Sequence, residues 1–230
     1  MSSSVQRKRI RKSPAARRAE IVEKAAEIAL SEGLECITLR RIGEELDVRP
    51  GLVSHYFPSA EELVAEAFGS AATAELDALI PAEPEPDSTS VERLAAFLGR
   101  TSGPAWDDIS RLWINARHLR RYRPALGARV TEQEAAWRDR LTALIAEGVR
   151  RGEFRTAHPQ VCAQMILVVL DGLGADAGAD QEELPVAVAR MPFTIAEREL
   201  GLGEGALDTE EALAPEGDLD PDGLAPGDNA

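Results

Sequence analysis

Apolar residues recur three and four positions apart along the first third of the chain. Over residues 15–32, Ile21, Val22, Ala25, Ile28 and Ala29 form one stripe, with Arg17, Arg18, Glu20, Glu23, Lys24 and Glu27 off it and Gly33 closing the run. Leu39, Ile42 and Leu46 repeat the spacing behind Thr38, which is placed to cap free N–H groups. Residues 47–50 break the pattern with polar groups and a proline, as a tight turn does when Pro50 opens the next helix. Leu52, Val53, Tyr56 and Phe57 then resume helical spacing over 51–57 and leave Arg49, Ser54 and His55 to face outward. Two short helices across a tight turn form a helix-turn-helix, whose second helix fits a DNA major groove. Such short helices bury too little surface alone, so the 15–32 helix, with Cys36 and Ile37, must complete their core.

Further along, Ser59 and Glu62 read as a capping box before a helix carrying Leu63, Val64, Ala67 and Phe68 to about residue 80. The proline- and acid-rich stretch 81–90 reads as a linker. Helices are predicted over 91–100, 107–120, 123–152 and 159–173, with no alternating strand pattern, although Gly127 and Gly148 weaken the longest of them. The run 161–170 is apolar all round except for Gln164, so it must be buried on more than one side, within the domain or against a second copy. Pro185 and Pro192 split 181–200 into two short helices. From Gly201 onward the composition cannot form a core and predicts disorder. The expected organisation is all-α: a flexible basic arm at 1–14, a three-helix helix-turn-helix domain at 15–58, a connecting helix at 59–80, a linker at 81–90, a helical domain at 91–200 and an acidic tail at 201–230.

Charge qualifies the DNA reading before it supports it. The net charge of −14 argues against a nucleic-acid partner, but it is unevenly spread. Seven basic residues and no acidic one occupy 1–18, beside the helix-turn-helix, whereas nine acidic residues and no basic one occupy 201–230. Phosphate responds to the field within a Debye length of about 8–10 Å, so the local excess decides. No apolar run approaches the ~20 residues that span a bilayer, and the basic N-terminus has no hydrophobic stretch behind it, so a cytoplasmic protein without membrane contact is expected. Cys36 and Cys162 match no metal spacing and read as reduced core thiols. No phosphate-binding glycine loop, nucleophile elbow, HExxH or CxxC pair is present, so neither enzyme activity, a metal nor a cofactor is expected.

Residues 38–57, with the helix before them and the Pro58–Leu63 segment after them, resemble the N-terminal domain of the TetR family of bacterial transcriptional repressors. The segment ending Ser54-His55-Tyr56-Phe57 looks closest to the branch containing the betaine-pathway regulators. The resemblance covers roughly 15–68 and is far weaker beyond Phe68. It implies a fourth helix that joins the DNA-binding domain to a helical ligand-binding and dimerisation domain, and a four-helix dimer interface built from the last two helices of each chain. Many members carry a phosphate-contacting lysine after the capping serine. Here that position is Ala60, so no side-chain contact is implied there, though the helix N-terminus still attracts phosphate.

The expected function is a ligand-responsive regulator, most simply a repressor. It binds operator double-stranded DNA as a homodimer, with recognition helices about 34 Å apart, and an unidentified small-molecule effector releases it. The alternative is control by a protein partner through the C-terminal domain or the acidic tail. Arg49, Gly51, Leu52, Ser54, His55 and Tyr56 are the candidate base and backbone contacts, with Thr38, Arg40 and Arg41 placed for phosphates. Candidate ligand residues are Phe97, Trp106, Trp113, Asn115, His118, Trp137, Met165 and Asp171. Of these, Asp171 is the one suited to a cation such as a quaternary amine, which aromatic rings also hold. Trp113 shares a helical face with Ile109, Leu112 and Ala116, so core packing explains it well, and His118 and Asn115 lie on another face of its helix.

Overall fold

The computed structural model describes residues 12–83, 85–101, 104–175 and 185–208. Its regular elements are helical: α1 (Pro14–Glu32), a 3-10 turn (Leu34–Cys36), α2 (Leu39–Glu45), α3 (Pro50–Tyr56), α4 (Ala60–Leu79), α5 (Ser90–Gly99), α6 (Pro104–Leu119), α7 (Pro124–Arg151), α8 (Pro159–Gly174), α9 (Val186–Ala189) and α10 (Met191–Leu200). Most of the basic arm and the acidic stretch beyond Asp208 lie outside the described residues.

The N-terminal unit follows from its caps. The Thr38 hydroxyl accepts the Arg41 N–H and starts α2. Asp47 takes the left-handed conformation, φ 49°, which its short polar side chain tolerates, and the chain turns sharply enough for Pro50 to open α3. Ile42, Val53 and Phe57 then bury themselves against Ile21, Ala25 and Ile28 of α1. Seven-residue helices such as α2 and α3 hold their shape through this burial and not through propensity.

Three boundaries differ from the sequence pattern. The stretch read as linker ends earlier, because Thr89 and Glu92 form a reciprocal capping box that starts α5 at Ser90. The glycines of α7 do not interrupt its 28 residues: Gly148 is a notch filled by the Phe154 ring. Packed chain also continues past Gly201, where the composition predicts disorder. Leu207 is fully buried, its N–H donates to Glu197 Oε1 at 3.2 Å, and Asp208 pairs with Arg190. A single leucine side chain with two ionic anchors outweighs the polar composition around it.

α4 is fastened to α7 along its length. Glu61 Oε1 accepts the Ala125 N–H at 3.1 Å, Arg129 reaches Glu66 at 3.1 Å across Gly69, Gln133 donates to Thr73 at 3.1 Å, and Arg140 pairs with Asp77 at 3.0 Å. Glu66 also meets Arg18 of α1, whose guanidinium lies 4.8 Å from the centre of the Phe57 ring. One apolar cluster runs from Ile21 in α1 to Leu207 after α10.

Candidate functional site

The residues expected to contact DNA lie on the surface of the helix-turn-helix or at its edge. Arg49, Gly51, Ser54 and His55 are exposed, while Leu52 and Tyr56 are half-buried at the edge of the helix. A Cβ on Gly51 would meet nothing within 4 Å among the described residues, so no contact seen there requires a glycine. Thr38 is exposed but already occupied as the cap of α2. Arg40 is bound to Glu44 at 2.8 Å, and Arg41 is bound to Glu32 at 2.8 Å. Arg49 has no acidic partner among the described residues, which leaves its guanidinium available to an incoming acceptor.

In the C-terminal half, a cavity of about 290 Å³ opens between α4, α6, α7 and α8. Its walls hold three tryptophans, Trp106 and Trp113 of α6 and Trp137 of α7, together with Glu75, Glu134, Asp171, Arg117 and Arg138. Trp113 packs edge-on against Phe68 of α4, with centroids 5.0 Å apart, and its indole N–H donates to Glu75 Oε2 at 3.0 Å. Leu167 and Leu170 of α8 supply apolar lining.

Of the residues that the sequence singles out, Trp106, Trp113, Trp137 and Asp171 come together here, and four do not. Phe97 is fully buried behind Trp137, 6.1 Å between centroids, and serves as core. Asn115 points to the DNA-binding side, where its Oδ1 accepts the Leu34 N–H at 2.9 Å and its Nδ2 donates to Glu35. His118 is exposed against Tyr122. Met165 lies on the outer face of α8, in a shallow apolar groove with Val161, Val168, Val169 and Ile195. Helical periodicity groups residues by face but does not say which face meets the cavity.

Charge pairing also shifts the cation-binding group. Asp171, the carboxylate suited to a cation by sequence, is gripped by both terminal nitrogens of Arg117, at 3.0 and 2.9 Å. Glu134 is held by Arg117 and Arg120 at 3.2 Å each. Glu75 alone of the three has no basic side chain within ion-pair distance among the described residues. Burial, with the nearby negative charge of Asp171 adding to it, raises its pKa to about 7 against the lowering effects of the Trp113 N–H and of Arg117. Nothing in the sequence singles out Glu75, which sits on a helix that reads as a connector, among several acidic residues of that helix.

The comparisons with known proteins bear on both regions. The model for bacterial regulatory proteins of the tetR family matches residues 21–67. The model for the C-terminal region of BetI-type transcriptional repressors matches residues 92–200. No match is found among the curated proteins. Solved structures share the fold. One, described as a TetR-family transcriptional regulator from Rhodococcus sp., has 20% identity and a TM-score of 0.66, covering 81% of this chain and 99% of its own. Another, described as a transcriptional regulator from Saccharomonospora viridis in complex with choline, has 18% identity and a TM-score of 0.67, covering 81% of this chain and 98% of its own. Salmonella enterica GusR matches at 19% identity and a TM-score of 0.63, covering 83% of this chain and 98% of its own. With a tetR-type helix-turn-helix followed by a BetI-type C-terminal domain, the chain belongs to the TetR family of transcriptional regulators, which are DNA-binding proteins and not enzymes.

Proposed function

We propose that the protein is a homodimeric repressor that holds operator DNA through two copies of the α2–turn–α3 unit and releases it when a small organic cation enters the tryptophan-lined cavity. The observation that carries the effector class is the pairing of three indole rings with Glu75, a carboxylate with no basic side chain within ion-pair distance among the described residues. Aromatic faces and an unpaired carboxylate together attract an alkylammonium group, each in a desolvated setting where the attraction counts most. The choline bound by the S. viridis regulator of the same fold is in keeping with this chemistry.

On the DNA side, Arg49, Ser54 and His55 read base edges and Gly51 lets the helix approach closely, with Leu52 and Tyr56 at its margin. Thr38, Arg40 and Arg41 lie by the phosphates, and the two arginines exchange or share their carboxylates on binding. Dimerisation uses the outer face of α8 and α10. Cys162, Ala163, Ile166 and Leu170 already bury one side of α8, while Val161 and Val168 remain more than half exposed on the other. A second copy is the natural cover for such a face.

The test is anisotropy of labelled DNA from the protein's own promoter region, with choline titrated in and an Arg49→Ala/His55→Ala variant alongside. Specific binding that choline reverses and the variant loses is expected. Specific binding that no alkylammonium compound alters would discard the cationic effector.

A further inference from the structure

The charged groups around the cavity do not cancel among themselves, and those left over are one of each sign. Arg117 is shared between Asp171 and Glu134, and Arg120 completes the neutralisation of Glu134. Glu75 has no ion-pair partner among the described residues. On the opposite count, Arg138 of α7 lines the same cavity, is half-buried, and has no acidic partner among the described residues. Glu134, one helical turn before it and the obvious partner, is committed elsewhere. The residue beside Arg138 repeats the pattern: Trp137 is 7% exposed and its buried indole N–H has no acceptor among the described residues. Buried donors of this kind ordinarily find a partner in protein, water or ligand. Glu75 stands on α4 and Arg138 on α7, so the two line the cavity from different helices.

From this we infer that the effector is dipolar: an alkylammonium group held by Glu75 and the indole rings, joined by a short chain to an anionic group, such as a carboxylate, that takes the Trp137 N–H and the Arg138 guanidinium. The inference rests on the cationic-effector reading above and narrows it. A simple monocation satisfies only Glu75 and leaves the two donors on α7 without an acceptor. A dipolar ligand satisfies both ends and adds no net charge. The volume, about 290 Å³, is at the lower end for small-molecule sites and suits a compact molecule with two polar ends.

Three probes of nearly equal shape separate the possibilities in calorimetric titrations of the full chain: 4-trimethylammoniobutanoate, butyltrimethylammonium, and 5,5-dimethylhexanoate, in which a tert-butyl group replaces the trimethylammonium. The dipolar probe should bind about tenfold or more tightly than butyltrimethylammonium, the usual worth of a charge-assisted hydrogen bond. Arg138→Gln should erase that advantage and leave butyltrimethylammonium binding unchanged, whereas Glu75→Gln should weaken both trimethylammonium probes. Butyltrimethylammonium binding as tightly as the dipolar probe would overturn the inference and leave the cationic reading standing; binding of none of the three would remove both. Arg138 also borders the apolar groove on α8. An Arg138→Gln variant that keeps the carboxylate preference but dissociates the dimer would reassign this residue to the interface and overturn its role here.

Discussion

The carboxamide of Asn115 accepts the backbone N–H of Leu34 at 2.9 Å, tying α6 to the 3-10 turn that links α1 to the helix-turn-helix. The same side chain donates to both carboxylate oxygens of Glu35 at 2.9 Å. Trp113 and Arg117, two residues to either side on α6, line the cavity. Any shift of α6 would therefore reach the 3-10 turn beside the helix-turn-helix through a hydrogen-bonded clamp. Asn115→Ala leaves the N–H of the fully buried Leu34 without its partner and should cost about 1–3 kcal/mol of stability by urea unfolding. It should also weaken the effect of ligand on DNA affinity while leaving ligand affinity itself nearly unchanged. Full ligand response in the variant would assign the coupling to α4 alone.

The raised pKa of Glu75 predicts that stability, and with it the proposed binding of a cation, depends on pH. Its pKa is near 7 in the folded chain against 4.5 for the free group, so between these values the folded state holds a proton that the unfolded state has lost. The stabilisation is complete below about pH 4.5 and is lost as the pH rises through about 7. Glu75→Gln, neutral throughout and still able to accept the Trp113 N–H, should melt higher than the wild type at pH 8 and close to it at pH 5. A cation binds the ionised form, so its affinity should rise between pH 5 and 7 and level off above, with proton release detectable by calorimetry in buffers of different ionisation enthalpy. A flat pH profile in the wild type would remove Glu75 from the site.

The contrast between Glu75 and Thr38 shows what the sequence makes legible. Thr38, Pro50 and the spacing of Ile42, Val53 and Phe57 are local signals: each acts within one or two helical turns, so the helix-turn-helix can be read directly from them. The three tryptophans could be noticed as scarce, large side chains among polar neighbours. Which carboxylate stays unpaired depends on Arg117 choosing Asp171 and Glu134, contacts made between helices 17 and 54 residues apart. Asn115 was visible as a polar residue off the apolar face, but its partner Leu34 lies 81 residues away. Long-range pairing of this kind leaves no periodic trace.

Gly51 tests the DNA surface without disturbing the fold. Among the described residues nothing within 4 Å would meet a Cβ there, and alanine is the better helix former by about 0.5–1 kcal/mol. Gly51→Ala should therefore melt at the same temperature or slightly higher. If α3 lies in a major groove, the added methyl meets the DNA and lowers operator affinity about tenfold or more while non-specific binding persists. Unchanged operator affinity would mean that this end of α3 faces away from the bases.

Gly148 is the opposite case. A Cβ at this position would overlap Cδ2 and Cε2 of the Phe154 ring, which is itself almost fully buried. Gly148→Ala should destabilise the protein by about 1–3 kcal/mol, despite the better helix propensity of alanine. Pairing it with Phe154→Leu should recover part of the loss, because the smaller side chain vacates the contested space. Additive losses in the double variant would show that the two residues do not share that space.

Leu207 decides where the folded domain stops. Its side chain is fully buried, and its N–H is satisfied by Glu197, a carboxylate that is itself only 4% exposed. Arg190 stands beside both Glu197 and Asp208, closing the segment against α10. Leu207→Ala should cost about 2–5 kcal/mol, the range for truncating a buried leucine. Ending the chain at Leu200 should cost at least as much, since it also strands Glu197 without the Leu207 N–H. Were both changes neutral in urea unfolding, the segment after α10 would contribute nothing to the core, and the domain would end where the acidic composition begins.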